Sequence, residues 1–456
     1  MSDGKGDGLE QKASLARVLG LGDVIGIVVG SVIGSGIFIV PATIAGEVSS
    51  PLLMLGVWLL GGVLSFFGGL CFAELGGMFP QAGGMYAYLR EGYGALPSFL
   101  FGWTLFLVID TGAVATLASA FATKYLPYFV ALSPVGQKLV AVAFIAFLVS
   151  VNVLGVRHGA NLQNALTLIK LVAIVAVSVL VFSFGKGTPD NLTTPAAPPM
   201  SLGLLGHFGV ALIACLWAYK GWESATFSTG EIRNPQRTLY RGLVISNLMV
   251  LVLYLVTNVA YLWVIPASEM SGSDRIAADA LARSIGPIGT SLISFLILFS
   301  ILGAANANVL TSPRVYYAMA SDGLFFRAVQ NVHPRFRTPH VAVIAMGIWS
   351  VVLALSGSFE QLLGYVIFGQ WLFFGLTAGA VLILRRRRPD LARPTPVWGY
   401  PVTPLLFIVA AVFIAVTSLA TQPRNALAGL AIIALGVPVF AFWHRQRRRV
   451  TAPGNE

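Results

Sequence analysis

The chain has 456 residues, 56% of them hydrophobic and 10% charged, and a mean hydropathy of +0.81. A water-soluble fold does not carry that composition over such a length, which excludes a soluble enzyme. The formal charge of +11 sits beside apolar segments and is not interleaved with exposed aromatics, so it reads as membrane topology and not as nucleic-acid binding.

Apolar runs long enough to cross roughly 30 Å of hydrocarbon recur along the whole chain, about twelve in all. They cover 21–45, 51–78, 96–123, 139–155, 162–184, 203–229, 242–265, 286–317, 340–356, 361–384, 400–420 and 425–443. No polar stretch between them is long enough to bury a second core, so an all-α integral membrane domain is expected. The first residues, Met1 to Ala16, carry mixed charge and lack the pattern of a signal peptide. Arginine clusters at Arg233 to Arg241, Arg385 to Arg388 and Arg445 to Arg449 fall on one side of the predicted spans. The other side holds Lys124, Lys138, Lys186, Arg275, Arg283 and Arg424. This asymmetry predicts a multi-pass inner (plasma) membrane protein with both termini cytoplasmic. Cys71 and Cys215 lie inside apolar runs without metal-ligand or CxxC spacing, so no metal, cofactor or redox site is expected.

Two runs are interrupted. In the first, Gly30, Gly34 and Gly36 fall within Gly30-Ser31-Val32-Ile33-Gly34-Ser35-Gly36-Ile37-Phe38. Small-xxx-small packing accounts for Gly30 and Gly34 equally well. In the sixth, Trp217-Ala218-Tyr219-Lys220-Gly221-Trp222-Glu223 places a glycine and two charges in an apolar helix. Breaks at corresponding places in two halves of a chain point to an inverted-repeat transporter with its substrate near the midplane. Unwinding at Gly34 to Gly36 would turn backbone N–H groups toward a carboxylate, at the positive end of the following half-helix. Carbonyls freed near Val32 and Trp217 to Tyr219 would accept from an ammonium, and an α-amino acid carries both groups.

At these residues the chain resembles the amino acid–polyamine–organocation (APC) superfamily, most nearly its L-type amino acid transporter and related bacterial permease branches. Further segments carry the resemblance: Ala73-Glu74-Leu75 with Pro80, Gly83-Gly84, Tyr86 and Tyr88; Gly102-Trp103; Gly230-Glu231-Ile232-Arg233-Asn234-Pro235-Gln236; and Ser312-Pro313-Arg314 with Asp322-Gly323, His333-Pro334 and Thr338-Pro339. It implies the LeuT fold with helices 1 and 6 broken. A tail at 1–20 would precede a first inverted repeat at 21–184 and a second at 203–388, followed by two helices at 400–444 and a tail at 445–456. It also implies a substrate site at Val32, Gly34, Ser35 and Gly36 in helix 1 and at Trp217, Ala218, Tyr219, Lys220 and Gly221 in helix 6, with Trp217 as an aromatic lid. Without the resemblance, Trp217 reads as a packing or lipid-facing residue. No cysteine occurs between Tyr125 and Gln137, where animal L-type transporters form a disulfide to a heavy-chain glycoprotein. The resemblance therefore implies a stand-alone permease of prokaryotic type.

Four charged residues well inside predicted spans need an account: Asp110, Lys170, Lys220 and Glu223. Each costs about 2.5–3.5 kcal/mol at a helix centre, so each is a candidate coupling or gating residue. Lys170 resembles the family's helix-5 lysine, whose ammonium stands where sodium-coupled relatives hold the ion between helices 1 and 8. The resemblance thus implies sodium independence, with protons or a counter-substrate in place of sodium. Lys170 could instead snorkel to the interface. Lys220 departs from the family pattern, which has glycine there. It could pair with Glu223 at i,i+3, meet Asp110 from helix 3, or face a substrate carboxylate. Glu74 and Asp23 are expected to meet loop arginines.

The combined expectation is a sodium-independent amino acid transporter, a proton symporter or an exchanger, that works by alternating access on small neutral L-amino acids. An acidic amino acid carrier using Lys220, a cationic amino acid or polyamine carrier, and a non-transporting amino acid sensor are the alternatives. The expected partners are the amino acid, membrane lipid and protons.

Overall fold

The computed structural model describes residues 15–199, 201–273, 275–356 and 359–451, with side chains omitted for 359–367 and 448–451. Lys5, Lys12 and the outermost parts of both tails lie outside the described residues, as do the side chains of Arg448 and Arg449.

The first apolar run folds as two helices, α1 (Leu21–Val32) and α2 (Gly36–Glu47), set 42° apart at the break. Next come α3 (Pro51–Met78), the short α4 (Met85–Tyr93), α5 (Ala95–Thr104) and α6 (Asp110–Ala120). Between and after the last two run π-helical turns at Leu105–Ile109 and Phe121–Tyr125, so Ala95–Tyr128 forms one continuous span. Two long helices follow, α7 (Pro134–Val153) and α8 (Val156–Phe184). The second interrupted run gives α9 (Leu202–Ala218), an open turn and the one-turn α10 (Ser224–Phe227). The chain continues through α11 (Pro235–Val264), α12 (Ala267–Met270), α13 (Ile276–Ile285), α14 (Pro287–Thr311) and α15 (Pro313–Ser321). It ends with α16 (His340–Ser356), α17 (Phe359–Arg387), α18 (Val402–Thr421) and α19 (Pro423–Thr451).

Among the described residues nine helices are long and apolar enough to cross a membrane, or ten if the bent α1/α2 pair counts as one span. α9 and α16 are shorter apolar helices. Most helices extend beyond the apolar runs expected from sequence, because their ends are set by local chemistry and not by hydropathy. Proline stands at the first turn of α3, α7, α11, α14 and α15, where its missing N–H is no loss. The Ser133 and Ser201 hydroxyls cap α7 and α9 by accepting from Gly136 and Leu204, both at 3.1 Å.

Outward faces are apolar. Val172, Val175 and Val179 on α8 and Val409, Val412 and Val416 on α18 are exposed at helical spacing, a stripe that suits hydrocarbon and not water. Inside, glycines let helices touch. A Cβ on Gly242 of α11 would lie 2.3 Å from a Val24 methyl on α1, and one on Gly303 of α14 would lie 2.7 Å from Lys170 Cε on α8.

At the end of the bundle where the described chain begins, polar groups lock several segments together. The Glu231 carbonyl accepts from Val18 and Leu19, both at 2.9 Å, and Leu19 pairs with Ile232 in the one β-bridge among the described residues. The Glu231 carboxylate holds Arg314 of α15 at 2.6 and 3.0 Å, both side chains fully buried. Glu74 binds Arg385 at 2.6 Å and Asp23 binds Arg157 at 2.9 Å. Asp322 accepts from Tyr86 and Arg90. Burial, and then the neighbouring Asp322, push the Tyr86 phenol above its ordinary value, so it remains a donor.

A buried charge stripped of its partner is far costlier than an exposed one. Glu231→Ala is therefore expected to lower stability by about 3–5 kcal/mol. Glu269→Ala, which removes the exposed pair with Arg283, should change it by under about 1 kcal/mol. Thermal unfolding of the two purified variants in detergent checks the contrast.

Candidate functional site

The two breaks meet at the centre of the bundle. α1 ends at Val32, and α2 restarts at Gly36 through a tight turn in which the Gly34 N–H reaches the Val32 carbonyl at 2.8 Å. The first N–H groups of α2, at Gly36 and Ile37, have no intrahelical partner by geometry and mark its positive end. The second break turns at Gly221, whose φ of +120° suits glycine alone. A Cβ there would lie 2.7 Å from Ser31 Cβ and 2.9 Å from its backbone carbon. One at Gly36 would lie 2.9 Å from Ala218 Cα. Each break thus rests directly on the backbone of the other.

Neighbouring helices satisfy the carbonyls that the breaks release. The Tyr254 hydroxyl on α11 lies 3.0 Å from the Val32 carbonyl and 3.2 Å from that of Ala218. Ser300 on α14 donates to the carbonyls of Ile33 and Gly34 at 3.2 and 3.1 Å. Lys170 on α8 is buried and donates to the Gly30 carbonyl at 2.7 Å. Ser31 reaches across to Ser224 at 3.2 Å.

A cavity of about 90 Å³ opens between the breaks. Val32, Gly34, Ser35 and Gly36 line one side, and Trp217, Ala218, Lys220 and Gly221 another. Trp217 is half-buried there. Tyr219 is not among the lining residues. Its ring is buried against Tyr254, with centroids 5.0 Å apart, and its hydroxyl donates to the Trp58 carbonyl at 3.1 Å.

The charges sort into two groups. Lys220 Nζ lies 3.3 Å from Asp110 Oδ1, and the other Asp110 oxygen accepts from Ser312 at 2.5 Å. Glu223 takes a separate route, accepting from the Gly221 N–H at 3.1 Å and from Gln370 of α17 at 2.7 Å. The i,i+3 pairing of Lys220 with Glu223 presupposes a continuous helix, and the turn at Gly221 removes it. Lys170 and Glu223 sit behind the cavity wall and do not line it.

Residues 19–442 match the amino acid permease family. The chain belongs to that family. It is 34% identical over 417 residues to the human b(0,+)-type amino acid transporter 1, covering 90% of this chain and 84% of that protein. It is 31% identical over 446 residues to the human cystine/glutamate transporter, covering 96% and 88%. It is 31% identical over 429 residues to the serine/threonine exchanger SteT of Bacillus subtilis, covering 93% and 96%. The permease is accordingly an integral, multi-pass membrane protein that transports amino acids and is not an enzyme.

Sequence reasoning missed the remaining walls of the cavity. Gly112, Ala113, Thr116 and Leu117 come from α6, Ala304 and Asn308 from α14, and Ser31 from α1. A small or polar residue in a long apolar helix carries no periodic signal. The one available cue was the density of such residues in Thr111-Gly112-Ala113 and Gly303-Ala304-Ala305-Asn306-Ala307-Asn308.

Because a Gly36 side chain would meet the backbone of Ala218, Gly36→Val should separate the two breaks and reduce substrate binding by about 5- to 150-fold, the equivalent of 1–3 kcal/mol of overpacking. Binding of a labelled amino acid panel to the purified variant checks this, and unchanged affinity would remove Gly36 from the site.

Proposed function

We propose that the permease is a twelve-helix transporter of the LeuT fold that exchanges small neutral L-amino acids across the inner membrane, independently of sodium, by alternating access. Counting the α1/α2 pair as one span and adding α9 and α16 to the nine long helices is consistent with twelve. On that count the breaks fall in helices 1 and 6, at corresponding places in two five-helix repeats. The arginine distribution supports cytoplasmic termini, and the burial of both free cysteines supports a stand-alone chain without a heavy-chain disulfide.

The observation that carries the reading is the Lys170 amino group, 2.7 Å from the Gly30 carbonyl on α1 and packed against Gly303 of α14. It sits between the first and eighth spans, the position that a bound sodium ion would otherwise take. The substrate carboxylate then meets the N–H groups at Ser35 and Gly36. Its ammonium has the second lone pair of the Ala218 carbonyl, which Tyr254 engages once; the Val32 carbonyl already accepts from both Tyr254 and the Gly34 N–H. The small cavity supports a small substrate. Lys220, the one base lining the cavity among the described residues, is paired with Asp110, which supports a neutral one. A relative named as a serine/threonine exchanger supports exchange.

A second reading rests on Lys220, whose side chain is 19% exposed and borders the cavity. If substrate displaced Asp110, Lys220 would take a side-chain carboxylate, and a cystine/glutamate transporter is among the relatives. Counterflow in proteoliposomes separates the two: alanine or serine should outcompete glutamate, and replacing sodium with choline should leave the rate within about twofold. A steep sodium dependence would overturn the role of Lys170. Lys220→Gly leaves Asp110 without its cation, so the variant should admit lysine and arginine, which the parent excludes.

A further inference from the structure

The breaks account for the ends of the cavity that receive the carboxylate and the ammonium. The wall that is left, which a substrate side chain would face, belongs to α6 and α14. Gly112, Ala113 and Ala304 keep that wall close to the backbone, and Thr116 and Asn308 are its two uncharged polar side chains with hydrogen-bonding capacity directed at the cavity.

Their bonding differs from that of their neighbours. The other threonines of the Ala95–Tyr128 span return their hydroxyls to a carbonyl of the same helix: Thr104 to Leu100 at 2.7 Å, Thr111 to Phe106 at 2.7 Å and Thr123 to Ser119 at 2.8 Å. Thr116, 9% exposed, has no hydrogen-bond partner among the described residues, although a hydroxyl in an apolar setting is unfavourable without one. On α14, Asn306 is fully committed. Its amide nitrogen donates to Gly159 and Gln163, and its oxygen accepts from Asn152. Asn308 makes a single bond, from Nδ2 to the Ala304 carbonyl at 3.1 Å. Its Oδ1 and second N–H remain for a ligand.

We propose that Thr116 and Asn308 form a side-chain subsite that hydrogen-bonds a substrate hydroxyl, so that the permease prefers small hydroxylated amino acids to apolar ones of the same shape. The inference rests on the cavity being the substrate site and deepens that reading by naming the substrate class. A hydroxyl can donate to Asn308 Oδ1 while it accepts from Thr116, which satisfies all three groups together. Valine, matched to threonine in shape, would leave both protein groups unpaired, and a site built for a hydroxyl discriminates against such an analogue.

The test is counterflow of the purified full-length protein in proteoliposomes, read as the ratio of apparent affinities for threonine over valine within each variant, so that differences in overall activity cancel. The wild-type ratio should be about tenfold or more, from two hydrogen bonds. Thr116→Val and Asn308→Leu should each reduce it about threefold to tenfold. Thr116→Ser retains a hydroxyl and should preserve it, as should Thr123→Val, whose hydroxyl lies on an exposed part of the same helix. If Thr116→Val does not reach the membrane, Thr116→Ala carries the same comparison. A wild-type ratio near one, or an unchanged ratio in either cavity variant, would overturn the proposal. Absence of counterflow for every amino acid would refute the transport reading itself, and this subsite with it.

Discussion

Interrupting a helix inside a membrane releases carbonyl and N–H groups where there is no water to receive them, and each must find a protein partner. Here the partners come from helices distant in sequence: Lys170 of α8 for Gly30, Tyr254 of α11 for Val32 and Ala218, and Ser300 of α14 for Ile33 and Gly34. The packing of α8, α11 and α14 around α1 follows from that requirement as much as from apolar burial. Glycines at Gly26, Gly30, Gly242 and Gly303 provide the close approach: added Cβ atoms would fall 2.0 to 2.7 Å from their neighbours.

Much of this frame was legible in the sequence. Gly34, Ser35 and Gly36 announced the first break, and Gly221 between two charges announced the second, because glycine clusters in apolar helices need a reason. The expectation that Glu74 and Asp23 meet arginines agrees with their bonds to Arg385 and Arg157. The partner of Lys220 was not legible. Asp110 and Glu223 were both within reach of a long side chain, and only the backbone turn at Gly221 decides between them. Nor could the sequence single out Tyr254, Thr116 or Asn308. Their roles depend on which carbonyl or cavity they face across the bundle, and nothing in the neighbouring residues encodes that.

Asp110, Lys170, Lys220 and Glu223 are each met by a polar partner. Asp110 and Lys220 form a dipole at the edge of the cavity, with Ser312 steadying the acid. Glu223 ties the second break to α17 through Gln370.

Glu231 serves three segments at once. Its carbonyl holds Val18 and Leu19, its carboxylate holds Arg314, and the next residue pairs with Leu19. The segment leading into the first broken helix, the loop after the second and the start of α15 therefore share one fastening. Loosening any of them leaves a buried charge or a buried backbone group unmet, so half-released states are poor resting places. Motion at that end of the bundle would be concerted, with the segments it ties released together.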